Sequence, residues 1–139
     1  MFSPLYKPFG QSPQMKIINR LPGLPVERAL AVLSGRWKAV ILYVLLDGPQ
    51  RTFELEKHIS GISQKVLIEQ LRALAEHGLV SRQPSAHDSQ GIEYLLTPLG
   101  ESLRPMLDSL IEWGAHHAKE LGEAHRLLPC EAIVRGRAK

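Results

Sequence analysis

A chain of 139 residues with 44% hydrophobic content is long enough for one domain with its own core and too apolar for a disordered polypeptide. Its 17 basic and 14 acidic side chains leave a formal charge of +3, which leans towards an anionic partner without identifying one, and part of the excess sits at the end in Arg135, Arg137 and Lys139. The single cysteine, Cys130, excludes an intramolecular disulfide framework and a cysteine-built zinc cluster, and the longest apolar run, Ala39 to Leu46, falls far short of the roughly 20 residues of a membrane helix. With no signal peptide visible at the N-terminus, a cytoplasmic protein is expected.

Residues 1–23 hold Pro4, Pro8, Pro13 and Pro22 with few periodic apolar positions, and predict an extended N-terminal arm. From Pro25 the pattern turns helical. Val26, Ala29, Leu30 and Leu33 share one face, and Ser34-Gly35 closes the segment. Trp37 to Leu46 is apolar nearly all round and stops at Asp47-Gly48-Pro49, the pattern of a helix buried at the centre of a domain. Thr52 is placed to cap a short third helix anchored by Phe53, Leu55 and Ile59, with Glu54 and Glu56 near its positive end; it finishes at Ser60-Gly61.

The next helix organises the rest. Ser63 stands where its hydroxyl can cap the first turn, and Gly78 where a left-handed residue would end it. At about 100° per residue, Leu67, Leu71 and Leu74 form one stripe while Lys65, Glu69, Arg72 and Glu76 lie opposite. Lys65 in the first turn opposes the helix dipole, a conflict that an arriving phosphate would resolve. Alone, the pattern also fits an ordinary amphipathic helix with a solvated face. Preceded by a short helix and a glycine turn, it has the order of a helix-turn-helix, with residues 63–77 as recognition helix.

Leu79 to Pro84 and Ile92 to Thr97 read as two strands joined by the polar turn Ser85 to Gly91, so residues 80–97 make a hairpin wing. Thr97-Pro98 opens a long last helix carrying Leu99, Leu103, Leu107, Leu110, Trp113 or Gly114, and His117 at helical spacing, with Pro105 expected to kink it. The fold class is therefore mainly α with a small β-hairpin, a winged helix-turn-helix over residues 24–122. A tail at 123–139, basic at its end, completes the chain.

Several strings in this order resemble the HxlR family of bacterial, MarR-like winged-helix transcription regulators. They are Pro25-Val26-Glu27-Arg28-Ala29-Leu30, Gly35-Arg36-Trp37-Lys38, Gly61-Ile62-Ser63-Gln64-Lys65-Val66-Leu67, Leu71-Arg72, Gly78-Leu79-Val80, Glu93 to Gly100, and Glu112-Trp113. The resemblance implies a homodimer whose recognition helices enter successive major grooves of palindromic double-stranded DNA, with the dimer held by the N-terminal and C-terminal helices. Many members carry a cysteine just before the Pro-Val-Glu string; this chain has Leu24, which excludes thiol sensing at that position.

The resemblance places Ser63, Gln64, Lys65, Glu69 and Arg72 at the DNA. Lys or Arg can reach guanine, Gln can reach adenine, and Glu can accept from cytosine. Val66 and Ile68 flank the stripe, either in the core or against thymine methyls. In the wing, Arg82 and His87 are candidates for phosphate or minor-groove contact and Gln90 for a backbone bond. Arg36 and Lys38 are candidates for the phosphate backbone, with Trp37 between them better explained by packing. Val26, Leu30 and Leu33, with Leu107, Leu110, Ile111 and Trp113, offer more apolar surface than a small core can cover and are the expected dimer interface. His116 and Glu120 have metal-pair spacing but no third ligand, Cys130 has no triad signature, and no glycine loop cradles phosphate, so neither enzyme activity nor a cofactor or metal is expected. The competing reading is a winged helix used as a protein-interaction module without DNA. A small-molecule effector is left open.

Overall fold

A computed structural model describes residues 20–87 and 90–128; the expected arm up to residue 19, Asp88 and Ser89 of the hairpin turn, Cys130 and the basic end of the tail lie outside the described residues. The elements run α1 (Pro25–Val32), α2 (Lys38–Leu45), α3 (Thr52–His58), α4 (Gln64–Glu76), β1 (Val80–Pro84), β2 (Ile92–Leu96), α5 (Pro98–Glu101) and α6 (Arg104–Glu120), followed by a 3-10 turn at Ala124–Arg126. This is the mainly helical order with one antiparallel hairpin that the sequence predicts.

Among the described residues, those from Arg20 to Ala31 fall in one unit and those from Val32 in a second. In the first, α1 starts at Pro25, whose fixed φ suits the first helical position and whose missing N–H would have no intrahelical partner there. The Arg28 N–H closes the first turn on the Leu24 carbonyl at 2.8 Å, and its guanidinium donates to the Pro22 carbonyl at 3.3 Å. No residue of α1 is buried, and Val26 and Leu30 are exposed.

The second unit is built around α2. Its Ile41, Leu42, Val44 and Leu45 are buried, and they meet Leu55 of α3 and Ile59 just after it, Leu67, Leu71 and Leu74 of α4, Val80 and Tyr94 of the hairpin and Leu107 of α6 in one cluster. A helix with apolar side chains on nearly every face is stable in water only when other elements surround it, which is why the least polar stretch becomes the centre. Leu33 is half-buried against the same cluster, so less of it is offered to a partner than its sequence pattern suggests.

Helix α3 departs from expectation twice. The N-cap is Arg51 and Thr52 the first helical residue, because Glu54 accepts from the Arg51 N–H at 2.8 Å and so fixes the boundary one residue earlier. Phe53 is exposed and not an anchor, since it lies about 200° round the helix from Leu55, which with Ile59 points inward.

The strands pair from Val80↔Leu96 to Pro84↔Ile92. One residue outside the hairpin joins them: Gln50 forms a bridge with Tyr94 on the other edge of β2. The last helix is two helices. Thr97 caps α5, its hydroxyl accepting from the Gly100 N–H at 3.0 Å; the chain breaks at Ser102-Leu103, and Pro105 sits in the first turn of α6. The expected mid-helix kink is thus a fresh start, where a proline has no N–H bond to forfeit. Arg104 ties the junction down, donating to the Leu46 carbonyl at 3.3 Å and pairing with Glu101 at 3.1 Å.

Candidate nucleic-acid interface

Both ends of α4 are set by local chemistry. The Ser63 hydroxyl accepts from the Val66 N–H at 3.1 Å, with Ser63 itself in extended backbone. At the other end, Gly78 has φ +80 and donates to the Ala75 carbonyl at 3.0 Å, while Leu79 donates to the Leu74 carbonyl at 3.0 Å. That bond pair is a Schellman motif, whose left-handed residue favours glycine. The Thr97 hydroxyl then donates to the Gly78 carbonyl at 2.6 Å and the Thr97 N–H to the Leu79 carbonyl at 3.0 Å, so the exit of α4 is fixed to the start of α5.

Between its ends the helix has two faces. Leu67, Leu71 and Leu74 are fully buried, each contributing about 1.5–3 kcal/mol relative to an exposed side chain. Val66 packs partly on the core, as one of the two readings for it had it; Ile68 is half-buried. Ser63, Gln64, Lys65, Glu69, Arg72 and Glu76 are exposed. Lys65 and Arg72, two turns apart, are separated by roughly 10 Å along the axis. Among the described residues no ion pair engages either of them, and no acidic residue stands in the first turn of α4. The result is an outward ridge in which Lys65, Glu69, Arg72 and Glu76 alternate in charge, with uncharged hydrogen-bonding groups at its positive tip.

Arg36 is exposed and lies 4.5 Å over the Trp37 ring. The same indole stands 3.8 Å from where a Cβ of Gly61 would be, in the turn leading into α4. Trp37 is therefore half-buried packing against the core and this turn, and it carries Arg36 towards the start of the ridge. Lys38, the first residue of α2, is half-buried. Packing of Trp37 against the turn was not visible from spacing, because it depends on how α2 crosses α4.

In the hairpin, Arg82 is exposed with its guanidinium 5.9 Å over the Tyr94 ring. Exposed His87 donates its backbone N–H to the Ser85 hydroxyl at 3.1 Å, and that hydroxyl donates to the Glu93 carboxylate at 3.2 Å in a buried position. Gln90 is exposed beyond them. The buried Ser85–Glu93 pair is a feature that sequence reading missed, since alternation alone makes Glu93 an outward residue.

Of the expected interface residues, Leu107 is corrected. Only 3% exposed, it belongs to the chain's own core and has no surface left for a second chain. Leu110, Ile111 and Trp113 are exposed on α6, and Trp113 stacks on His117 with ring centroids 5.0 Å apart. No helix among the described residues is long and apolar enough to cross a membrane.

A model of the family described as HxlR-like helix-turn-helix matches residues 32–121. The HTH-type transcriptional regulator YkvN of Bacillus subtilis (strain 168) is 46% identical over 89 residues, 64% of this chain and 75% of its own. YtcD, an HTH-type transcriptional regulator of the same strain, is 37% identical over 117 residues, 84% of this chain and 92% of its own. Among solved structures, the redox regulator HypR in its reduced form matches with a TM-score of 0.63 at 34% identity, over 72% of this chain and 98% of that one. The crystal structure of YtcD matches with a TM-score of 0.60 at 41% identity, over 68% and 96%.

Proposed function

The chain belongs to the HxlR-like helix-turn-helix family, and from that premise we propose that it is a homodimer that binds a palindromic operator in the cytoplasm, α4 in the major groove and the hairpin on the backbone or minor groove. Helix-turn-helix proteins of this kind are transcriptional regulators and not enzymes. The observation that carries the finer reading is the separation of faces on α4: three buried leucines hold it to the core while Ser63, Gln64, Lys65, Glu69 and Arg72 stand outward. In this reading Gln64, Lys65, Glu69 and Arg72 read base edges and the Ser63 end of the helix meets a phosphate. Arg36, Lys38, Arg82 and His87 contact the sugar-phosphate backbone, which positions the protein without specifying sequence.

The dimer is proposed from α6. Leu110, Ile111 and Trp113 are exposed, and Val26 and Leu30 of α1 are a second apolar contribution. A two-fold axis that sets two α4 helices about 34–36 Å apart would match one turn of B-DNA and require an inverted repeat.

Selection of bound sites from random DNA, followed by footprinting and a salt titration on the winning site, tests this. A palindromic consensus and an affinity that falls steeply with salt are expected, because each neutralised phosphate releases counterions. Failure to enrich any sequence, with a partner protein bound at nearly salt-independent affinity, would replace this reading with the interaction module.

A further inference from the structure

One residue links the helix-turn-helix to the far end of the hairpin. Gln50 and Tyr94 exchange both backbone bonds, at 2.9 and 2.8 Å, so the connection between α2 and α3 runs beside β2. The next residue, Arg51, is where that connection becomes α3, and its guanidinium lies 5.1 Å over the exposed Phe53 ring. The same guanidinium occupies the space in which a side chain at Gly91 would stand: an ideal Cβ there would be 2.7 Å from Cζ, 2.8 Å from Nη2 and 3.0 Å from Nε. Gly91 is buried, and its carbonyl accepts the Ser85 N–H at 2.8 Å, the bond that closes the loop end of the hairpin.

A two-stranded hairpin is marginal by itself, and a single bridge from Gln50 to Tyr94, at the middle of β2, holds it at one point but leaves its tilt to other contacts. A planar guanidinium seated between an aromatic ring and a bare backbone is a stiff spacer, since it stacks on one side and fits a flat surface on the other. We propose that Arg51 is the positioning residue of the wing: held between Phe53 and Gly91, it sets the angle at which the hairpin leaves the helix-turn-helix. That angle decides whether Arg82 and His87 reach DNA in the same complex as α4. The absence of a side chain at Gly91 is what admits the arginine. This inference rests on the reading that the hairpin meets DNA, and it assigns Arg51 no DNA contact of its own.

The test is hydroxyl-radical footprinting of the full chain on its selected operator, with Arg51→Ala and Gly91→Ala beside the wild type. Arg51→Ala removes the spacer; Gly91→Ala keeps the arginine but displaces it, since the clash falls on the end of a flexible side chain. Wild type should give an α4 footprint and a separate flanking wing footprint. Both variants should keep the first, lose the second, bind about tenfold more weakly and show a salt slope lower by about one to two units, with unchanged thermal midpoints. Flanking protection retained in both variants would overturn the proposal. So would loss in Arg51→Ala alone, which would make the arginine a direct contact, or equal loss of both footprints in either variant. A wild type with an α4 footprint but no flanking protection overturns it while sparing DNA binding, whereas a wild type that binds no DNA overturns the functional reading as well.

Discussion

Leu71 and Arg72 are neighbours in sequence and opposites in environment, so truncating each to alanine should separate folding from binding. Leu71 is 1% exposed within the core cluster. Its replacement leaves a cavity at a helix whose backbone loses nothing by the change, alanine being the best helix former. The cost should be about 2–5 kcal/mol. At about 4–8 °C per kcal/mol for a domain near this size, that lowers the melting midpoint by at least about 8 °C. Arg72 is exposed, and among the described residues no ion pair engages it. Arg72→Ala should therefore stay within about 0.5 kcal/mol of wild-type stability. Loss of a base contact should weaken operator binding by about 1–3 kcal/mol, roughly fivefold to 150-fold, and relax specificity at one base pair. Circular-dichroism melts give the first quantity, and fluorescence anisotropy on labelled operator, well below both midpoints, gives the second. If Arg72→Ala melted as early as Leu71→Ala, or bound the operator and its single-base variants as the wild type does, the division of faces on α4 would be wrong.

The cap offers a second separation: Ser63→Ala should cost about 0.5–2 kcal/mol of stability through the lost Val66 N–H bond, whereas Ser63→Asp should restore stability and still bind DNA more weakly, because its charge repels phosphate. Melting and anisotropy of both variants check this, and equal operator affinity for serine and aspartate would refute it. Lys65→Ala should weaken operator binding by about 1–3 kcal/mol and relax specificity at its own base pair; unchanged affinity and specificity would remove Lys65 from the base contacts. Gly100→Ala should destabilise by several kcal/mol, since a Cβ there would overlap the Leu79 backbone carbonyl, which cannot swing aside; a melt within about 1 kcal/mol of wild type would refute it. Leu110→Asp combined with Trp113→Ala should convert dimer to folded monomer in sedimentation at micromolar concentration, and a wild type already monomeric there would end the dimer model.

What was legible in the sequence was local. The bounds of α4 follow from Ser63 and Gly78, each acting on backbone groups within three or four residues of itself, and its two faces from a period that any helix imposes. What was not legible depends on where distant segments cross. A periodic stripe shows that Leu107 and Leu110 lie on one side of a helix, but not that the first meets the core while the second stays exposed. The Gln50–Tyr94 bridge joins positions with no shared pattern, and so does the seat of the Arg51 guanidinium beside Gly91. The apolar character of Phe53 suggests an anchor, whereas its angular position on α3 turns it outward. Apolar spacing continues through the break at Ser102-Leu103, which hides the fresh helix start at Pro105.

Helix α6 joins the packing to the function. It has 17 residues, about 25 Å of helix, yet its only buried residues are Leu107 and Ala118. An isolated helix of that length is marginal in water, and two buried positions supply little of the tertiary packing that normally holds one. The apolar residues that remain, Leu110, Ile111 and Trp113, are too bulky to be chosen for a solvated face. At its other end the helix is fixed to α2 and α4: Arg104 reaches the Leu46 carbonyl at the end of α2, and Thr97, one short helix earlier, holds the exit of α4. A partner laid along α6 would therefore do two things at once, covering the apolar side chains and fixing the spacing of two recognition helices through rigid connections of only a few residues. Stability of the last helix and selection of the operator's half-site spacing then become one property of the same surface.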